Sequence, residues 1–387
     1  MRAIELEGGA VRITGALDFD RLPTGIVPRR LPAWTRPQVV DPLLAAVVAM
    51  PSGVRLEFVT DADAIELEAM LTSLQVGTLP LASAAFDLVI DGSLAARLAT
   101  GDRNIIAIDL TTFSFSFVPG APATVRFEGL GSGSKRIELW LPQSATVELR
   151  ALRVPDGASV GPPAPDARRR WVHYGSSISH CWEAEGPTGI WPAVTARLAG
   201  VALQPLGLWG SCHLDQFAAR TIRDLPADVI SVKAGINVVN VDSLKERTFG
   251  PALHGFLDTV REGHAETPLL VVSPVIFPAG EDDPGPSTLG ADNRWRNVER
   301  PEALRGGALA LRRIRQIMAD VIERRRAAGD VNLHYLDGLR LFGETDVADL
   351  ADGLHPNAAG YQRIGERFHA LAFGEGAPLA HPATAAG

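Results

Sequence analysis

Residues far apart in this chain carry side chains that could together perform nucleophilic chemistry. Ser177 stands in Gly-Ser-Ser-Ile-Ser, and its hydroxyl is inert until a neighbouring base takes its proton. His355 could be that base. Asp352 lies three residues before it in Asp-Gly-Leu-His, close enough to fix the imidazole tautomer and stabilise the imidazolium. Acyl transfer also needs donors for a developing oxyanion. Gly210, in Gly-Leu-Trp-Gly-Ser, offers a backbone N–H where a side chain would obstruct approach. Asn237, in Gly-Ile-Asn, offers a side-chain amide, and the Ser177 N–H is a third donor.

Each residue taken singly has a plainer reading. Ser177 would be a turn residue, Asn237 or Asp352 a loop cap, and His355 the start of a helix at Pro356-Asn357. Their joint occurrence carries the chemical reading. Ser176 and Cys212 are rival nucleophiles, though the register favours Ser177. His173, His180, Cys181, Cys212 and His213 crowd the first two loops, but their spacing matches no compact zinc pattern, so no metal is expected. Trp182, Trp191 and Trp209 are candidates for a pocket lining as well as for core packing. Residues 277–301 are too long and polar for a simple connection. They are read as a substrate-covering loop or a disordered insertion, with Arg294, Trp295 and Arg296 as its contacts.

The elements that would position these residues begin at Trp171. Strands are expected at 171–174, 201–206, 229–233, 269–276 and 333–336. Helices are expected at 189–199, 214–224, 252–263, within 301–328 and at 358–373, the last capped by Asn357. Such alternation builds a doubly wound parallel five-stranded sheet, flavodoxin-like in type, with its functional loops at the carboxyl ends of the strands. Ser177, Gly210 and Asn237 come after the first three strands, and His355 after the fifth.

Residues 1–155 have a different texture. Short period-two runs occur at 54–59, 65–70, 86–90, 124–127 and 136–141, with a hairpin signal at Asp91-Gly92 and a glycine-rich turn at 129–133 that is read as another hairpin. This is the pattern of an all-β sandwich. Residues 156–170, rich in proline and closing on three arginines, read as a linker. The catalytic domain would be 171–373, and 374–387 a flexible tail.

Bulk properties narrow the partners. A net charge of −8 argues against nucleic acid. No segment is apolar and long enough to span a bilayer, and the N-terminus has no apolar signal core, so a cytoplasmic protein without a membrane partner is expected. Two cysteines cannot make a disulfide framework.

The four loops in this order resemble the SGNH (GDSL-type) hydrolase family over residues 171–373. Ser177 matches the block I serine, Gly210 the block II glycine, Asn237 the block III asparagine, and Asp352 and His355 the block V D-x-x-H. Ser176 departs from the family's aspartate in G-D-S, and Val238 from the aspartate in G-x-N-D. The resemblance implies catalysis by Ser177, Asp352 and His355, with Ser177, Gly210 and Asn237 as the oxyanion hole and Trp209, Arg294 and Trp295 near the substrate. A sandwich ahead of such a domain resembles carbohydrate esterases with a binding-module-like domain. It also resembles the two-domain SGNH acyltransferase type that places a salicylyl group on a tetracycline scaffold from a coenzyme A thioester. The expected function is therefore O-acyl transfer from a small-molecule thioester donor, acyl-CoA as co-substrate, to a hydroxylated small acceptor, with no bound cofactor. Deacylation of a sugar or natural-product ester is the alternative, and a catalytically inactive ligand-binding protein is a reading from another class.

Overall fold

Period-two alternation in the first half has the expected consequence in the computed structural model, which describes residues 1–109, 112 and 114–381. In the strand Ile65–Val76, Ile65, Leu67, Ala69 and Leu71 are buried between two sheets. Glu66 and Glu68 face outward, where Arg153 pairs with both at 3.0 and 2.7 Å. Among the described residues one sheet has eight strands and the other six. Asp91 and Gly92 both take positive φ and join the antiparallel strands Ala84–Ile90 and Ser93–Thr100, as a two-residue hairpin requires.

The glycine-rich turn at 129–133 is not a hairpin. Ala123–Phe127 pairs with Ile65–Val76 in the larger sheet, whereas Lys135–Trp140 pairs with Arg55–Thr60 and Ala84–Ile90 in the smaller one. The turn carries the chain from one sheet to the other. The Lys135 ammonium secures it by donating to the carbonyls of Ala62, Gly131 and Gly133 at 2.8–2.9 Å. Turn residues encode a reversal, and which strands then pair is decided by packing.

The chain divides into two compact units: Met1–Ala167 with Trp182–Gly189, and Arg168–Cys181 with Ile190–Gly387. Much of the expected linker is therefore structured. Val160 and Gly161 pair with Thr60 and Val59, and Arg170 opens the first strand of the second unit. The short stretch Trp182–Gly189 is held within the first unit by buried polar groups. Asp87, fully buried, accepts from the Thr188 N–H and hydroxyl at 3.0 and 2.6 Å and from the Arg97 guanidinium at 2.7 and 3.0 Å. The Gln143 amide donates to the Ala184 carbonyl at 3.0 Å. Gly186 lacks a side chain where Arg97 lies against it.

In the second unit the strands Arg170–Gly175, Ala202–Gly207, Val229–Lys233, Leu269–Val272 and Leu333–Leu336 form a parallel sheet. Its order is second, first, third, fourth, fifth. The third and fourth strands are buried along their whole length, as continuous apolar runs in a parallel sheet should be. The fourth strand stops at Val272, short of the expected 276, because Pro274 cannot donate to a ladder. The helix expected at 252–263 begins earlier, at Glu246, and runs to Gly263 through Pro251, which removes one i→i−4 hydrogen bond past the first turn. Asn357 caps the last helix, Ala358–Phe368, accepting from the Gly360 N–H at 2.9 Å. The tail is not frayed over its first part: Leu379 is buried, donates to the Ala372 carbonyl at 2.7 Å and accepts from Arg169 at 3.0 Å. Residues 382–387 of that expected tail lie outside the described residues. Among the described residues no helix is long and apolar enough to cross a membrane.

Candidate active site

The first strand ends at Gly175, and the short helix Ser177–His180 begins almost at once. Ser176 caps that helix, its hydroxyl accepting from the Ile178 N–H at 3.3 Å. A short cap is the work left to this position in place of the family's aspartate. Glycines allow the helix to lie on the sheet edge. A side chain at Gly175 would collide with the Ser179 hydroxyl, and a Cβ at Gly207 would fall 2.6 Å from the His180 nitrogen. Trp191 is fully buried, and its indole N–H donates to the Ile178 carbonyl at 2.7 Å. It is core packing that fastens the helix, and not a pocket wall.

Below the helix lies a buried polar cluster that the sequence motifs leave unassigned. The His173 ring meets Ser179 Oγ at 2.8 Å through Nε2 and Ser231 Oγ at 2.7 Å through Nδ1, and Trp171 Nε1 donates to Ser231 at 2.8 Å. Burial first, then the nearby Lys233 charge, push the His173 imidazole down to about 3, so the ring is neutral. Its signal in the sequence was a histidine inside an apolar strand.

The fifth strand leads on to the loop that carries the D-x-x-H residues. His355 Nε2 lies 2.9 Å from Ser177 Oγ, and His355 Nδ1 lies 2.7 Å from Asp352 Oδ2. The carboxylate accepts at Nδ1, so the ring proton sits there and Nε2 accepts from the serine hydroxyl. Asp352 Oδ1 takes the backbone N–H groups of Leu354 and His355 at 3.0 and 2.7 Å. Burial alone would raise this carboxyl, but the charge on His355 and these hydrogen bonds outweigh it and hold Asp352 down at about 2. Ser177, Asp352 and His355 are all nearly closed to solvent.

Asn237 belongs to the helix Ile236–Asn240 after the third strand. Its Oδ1 accepts from the Cys212 N–H at 3.1 Å, which leaves its NH₂ as a donor and ties it to the loop of Gly210. Gly210 takes φ +67, a conformation suited to glycine. His213 braces the same loop, a role its place in the sequence does not signal. Its Nε2 must donate to the Gly210 carbonyl, 3.2 Å away, while Nδ1 accepts from Ser243 at 3.0 Å. Cys181 and Cys212 are buried thiols that form no disulfide, and burial pushes the Cys212 thiol up to about 12.

Trp209 is half-buried in the same loop as Gly210. Residues 277–301 are largely irregular but ordered around short elements. They hold a hairpin of Ser287–Leu289 with Trp295–Asn297, and the Trp295 N–H donates to the Asp352 carbonyl at 2.8 Å. The Trp295 indole N–H, closed off from solvent, has no acceptor among the described residues. Arg294 is exposed and lies against Gly353.

Residues 173–363 match the GDSL-like lipase/acylhydrolase family, a span that lies in the second unit except for Trp182–Gly189. This part of the chain is a GDSL-like acylhydrolase domain. Residues 11–150 match the N-terminal domain of SsfX3. Over 95% of this chain and 95% of the other, the structure is similar to the salicylyl-acyltransferase SsfX3 from a tetracycline biosynthetic pathway, with 28% identity and a TM-score of 0.77. An enzyme of Bacteroides ovatus described as a GDSL-like lipase is 18% identical, at a TM-score of 0.67, over 92% of this chain and 93% of the other. A family two carbohydrate esterase from Clostridium thermocellum is 14% identical, at 0.60, over 93% and 97%. The last two likenesses are of fold alone. No curated protein matches the chain in sequence. The GDSL-like domain, with its β-rich N-terminal unit, makes this a serine acyl-transfer or esterase enzyme of mixed α/β architecture.

Proposed function

We propose that this protein is an O-acyltransferase that moves an acyl group from a coenzyme A thioester to a hydroxyl of a small natural product through an acyl-enzyme on Ser177. The observation that carries the choice of transfer over hydrolysis is the full-length likeness to a salicylyl-acyltransferase, 95% of each chain at 28% identity, against 14% for the esterase.

The contacts of Ser177, His355 and Asp352 support the following steps. Ser177 Oγ gives its proton to His355 Nε2 as it attacks the thioester carbonyl. The imidazolium is stabilised by Asp352, which stays ionised. The oxyanion is received by the N–H groups of Ser177 and Gly210 and by the Asn237 amide. The thiol leaves with the proton held by His355. An acceptor hydroxyl then gives its proton to His355 as it attacks the acyl-enzyme; the Ser177 Oγ–acyl bond breaks and Ser177 Oγ takes that proton back. Cys212 is a poor rival, because its thiol is buried and held protonated. Ser176 is engaged as a helix cap, and the imidazole reaches its neighbour instead.

The test compares wild type with Ser177→Ala on a panel of acyl-CoA thioesters, with and without hydroxylated acceptors, monitoring thiol release by absorbance and products by mass. Acceptor-dependent ester formation that disappears in the variant supports transfer. Release indifferent to acceptor makes the protein an esterase. Labelling by a serine-reactive phosphonate that survives Ser177→Ala rejects the nucleophile assignment.

A further inference from the structure

The hairpin within 277–301 leans on two catalytic segments of its own unit. On one side the backbone of Gly285 lies against the Val239 carbonyl, where any side chain would collide, so this strand rests on the helix that carries Asn237. On the other side the Trp295 N–H bonds the Asp352 carbonyl. Residues along Trp295–Asn297 alternate. Trp295 and Asn297 turn inward, while Arg294 and Arg296 are exposed.

These two arginines differ in one respect. Arg296 has an anion, Asp292, with which it forms an ion pair. Among the described residues the Arg294 guanidinium has neither a hydrogen bond nor an ion pair. It lies 3.4–3.6 Å from the point that a Cβ on Gly353 would occupy. Gly353 sits at φ +86 between Asp352 and His355, so the guanidinium lies on the bare backbone of the catalytic loop. Asp352 accepts from Leu354 and His355 and forms no ion pair with Arg294. With no ion pair of its own, the guanidinium keeps its donors open, and its charge opposes the imidazolium that His355 must become. A substrate anion would remove that opposition and would match the planar fork of the guanidinium.

We infer that Arg294 reads a negatively charged group on the substrate, a carboxylate or a phosphate, and so makes this enzyme selective for anionic acyl donors or acyl groups. The inference rests on the acyl-transfer reading to name the reacting partner, while the anion site itself can be tested without turnover.

The two sources of such an anion are separated by matched substrates. p-Nitrophenyl hemisuccinate against p-nitrophenyl butyrate tests a carboxylate on the acyl group. Acetyl-CoA against acetyl-N-acetylcysteamine tests the phosphates of the carrier. Arg294→Ala should lower kcat/KM for at least one charged member by about 10–100-fold, mainly through KM, as expected for loss of a charge-assisted hydrogen bond. Both neutral members should change far less than the charged ones, and a change common to both series reports the charge removed beside His355. Arg294→Lys should restore part of the loss, and Arg294→Glu should deepen it. The same contrast is read as Kd by calorimetry on Ser177→Ala, with coenzyme A against pantetheine and with succinate against propionamide. Selectivity for the anion in that binding series supports the inference even if the protein transfers no acyl group. Equal losses on charged and neutral substrates would mean that Arg294 only braces the hairpin. Unchanged charged-substrate kinetics and unchanged Kd in Arg294→Ala would equally overturn it.

Discussion

Ser179 Oγ, in the helix that begins with Ser177, is held 2.8 Å from His173 Nε2 in the strand beneath it, and Gly175 lies between them without a side chain. The helix of Ser177 is thus pinned from below by a neutral, fully buried imidazole. His173 titrates at about 3 in the folded chain against about 6.5 when unfolded. The unfolded chain therefore binds the extra proton between these values. This contribution is complete above pH about 6.5 and is lost as pH falls toward about 3, at on the order of 1.4 kcal/mol per pH unit mid-window. His173→Gln should be less stable at pH 7 but show a flatter loss between pH 6.5 and 4. Denaturant midpoints across that range check it, and parallel slopes for the two proteins would reject it.

Ser177→Ala should lower turnover of a good ester by roughly 10³-fold or more, leaving what binding and oxyanion donors supply alone. Ser176→Ala removes only a cap and should cost under about tenfold in rate and about 1 kcal/mol in stability. Steady-state rates of the two variants side by side decide between the adjacent serines.

Asp352→Asn keeps the size of the side chain and removes the charge that selects the imidazole tautomer. The expected loss in kcat is on the order of 10³–10⁴-fold, with KM changed far less. Asp352 is ionised above pH about 3, since its carboxyl is held at about 2. The acid limb of the wild-type pH–rate profile should therefore track the imidazole. A limb falling at the ordinary carboxylate pKa would contradict this.

Asn237→Ala removes one of three oxyanion donors, and kcat should fall about 10²–10³-fold with KM little altered. The Cys212 N–H would lose its acceptor as well, so the circular dichroism melt of the variant should be recorded beside its kinetics. A change confined to KM would place Asn237 on the ground-state substrate instead.

Asp87→Ala removes the acceptor of both Thr188 donors and one of the two anions on Arg97, which keeps Glu185 at 2.8 Å, inside the first unit. Leaving the two Thr188 donors without their acceptor costs about 1–3 kcal/mol each. In scanning calorimetry the transition of that unit should drop by roughly 10 °C. A shift within the error of the measurement would show that the buried carboxylate carries no such load.

The loops that bring Ser177, His355 and Asp352 together were readable from residue types and order. Ser177, Gly210, Asn237, Asp352 and His355 could be picked out because each comes after a strand-like run, and parallel strands deliver their C-terminal loops to one edge. The alternation in Ile65–Val76 likewise named its buried face. What pairs with what was not readable. The turn at 129–133 looks like a hairpin and joins two sheets. Leu379 lies in a stretch of small residues and is nevertheless buried. Nothing in the spacing brings His173 to Ser179, His213 to the Gly210 carbonyl or Arg294 to Gly353. Periodicity reports which face a residue presents, through forces that act within a few residues. Partners distant in sequence are selected by the packing of whole elements, and that selection exists only in the folded chain.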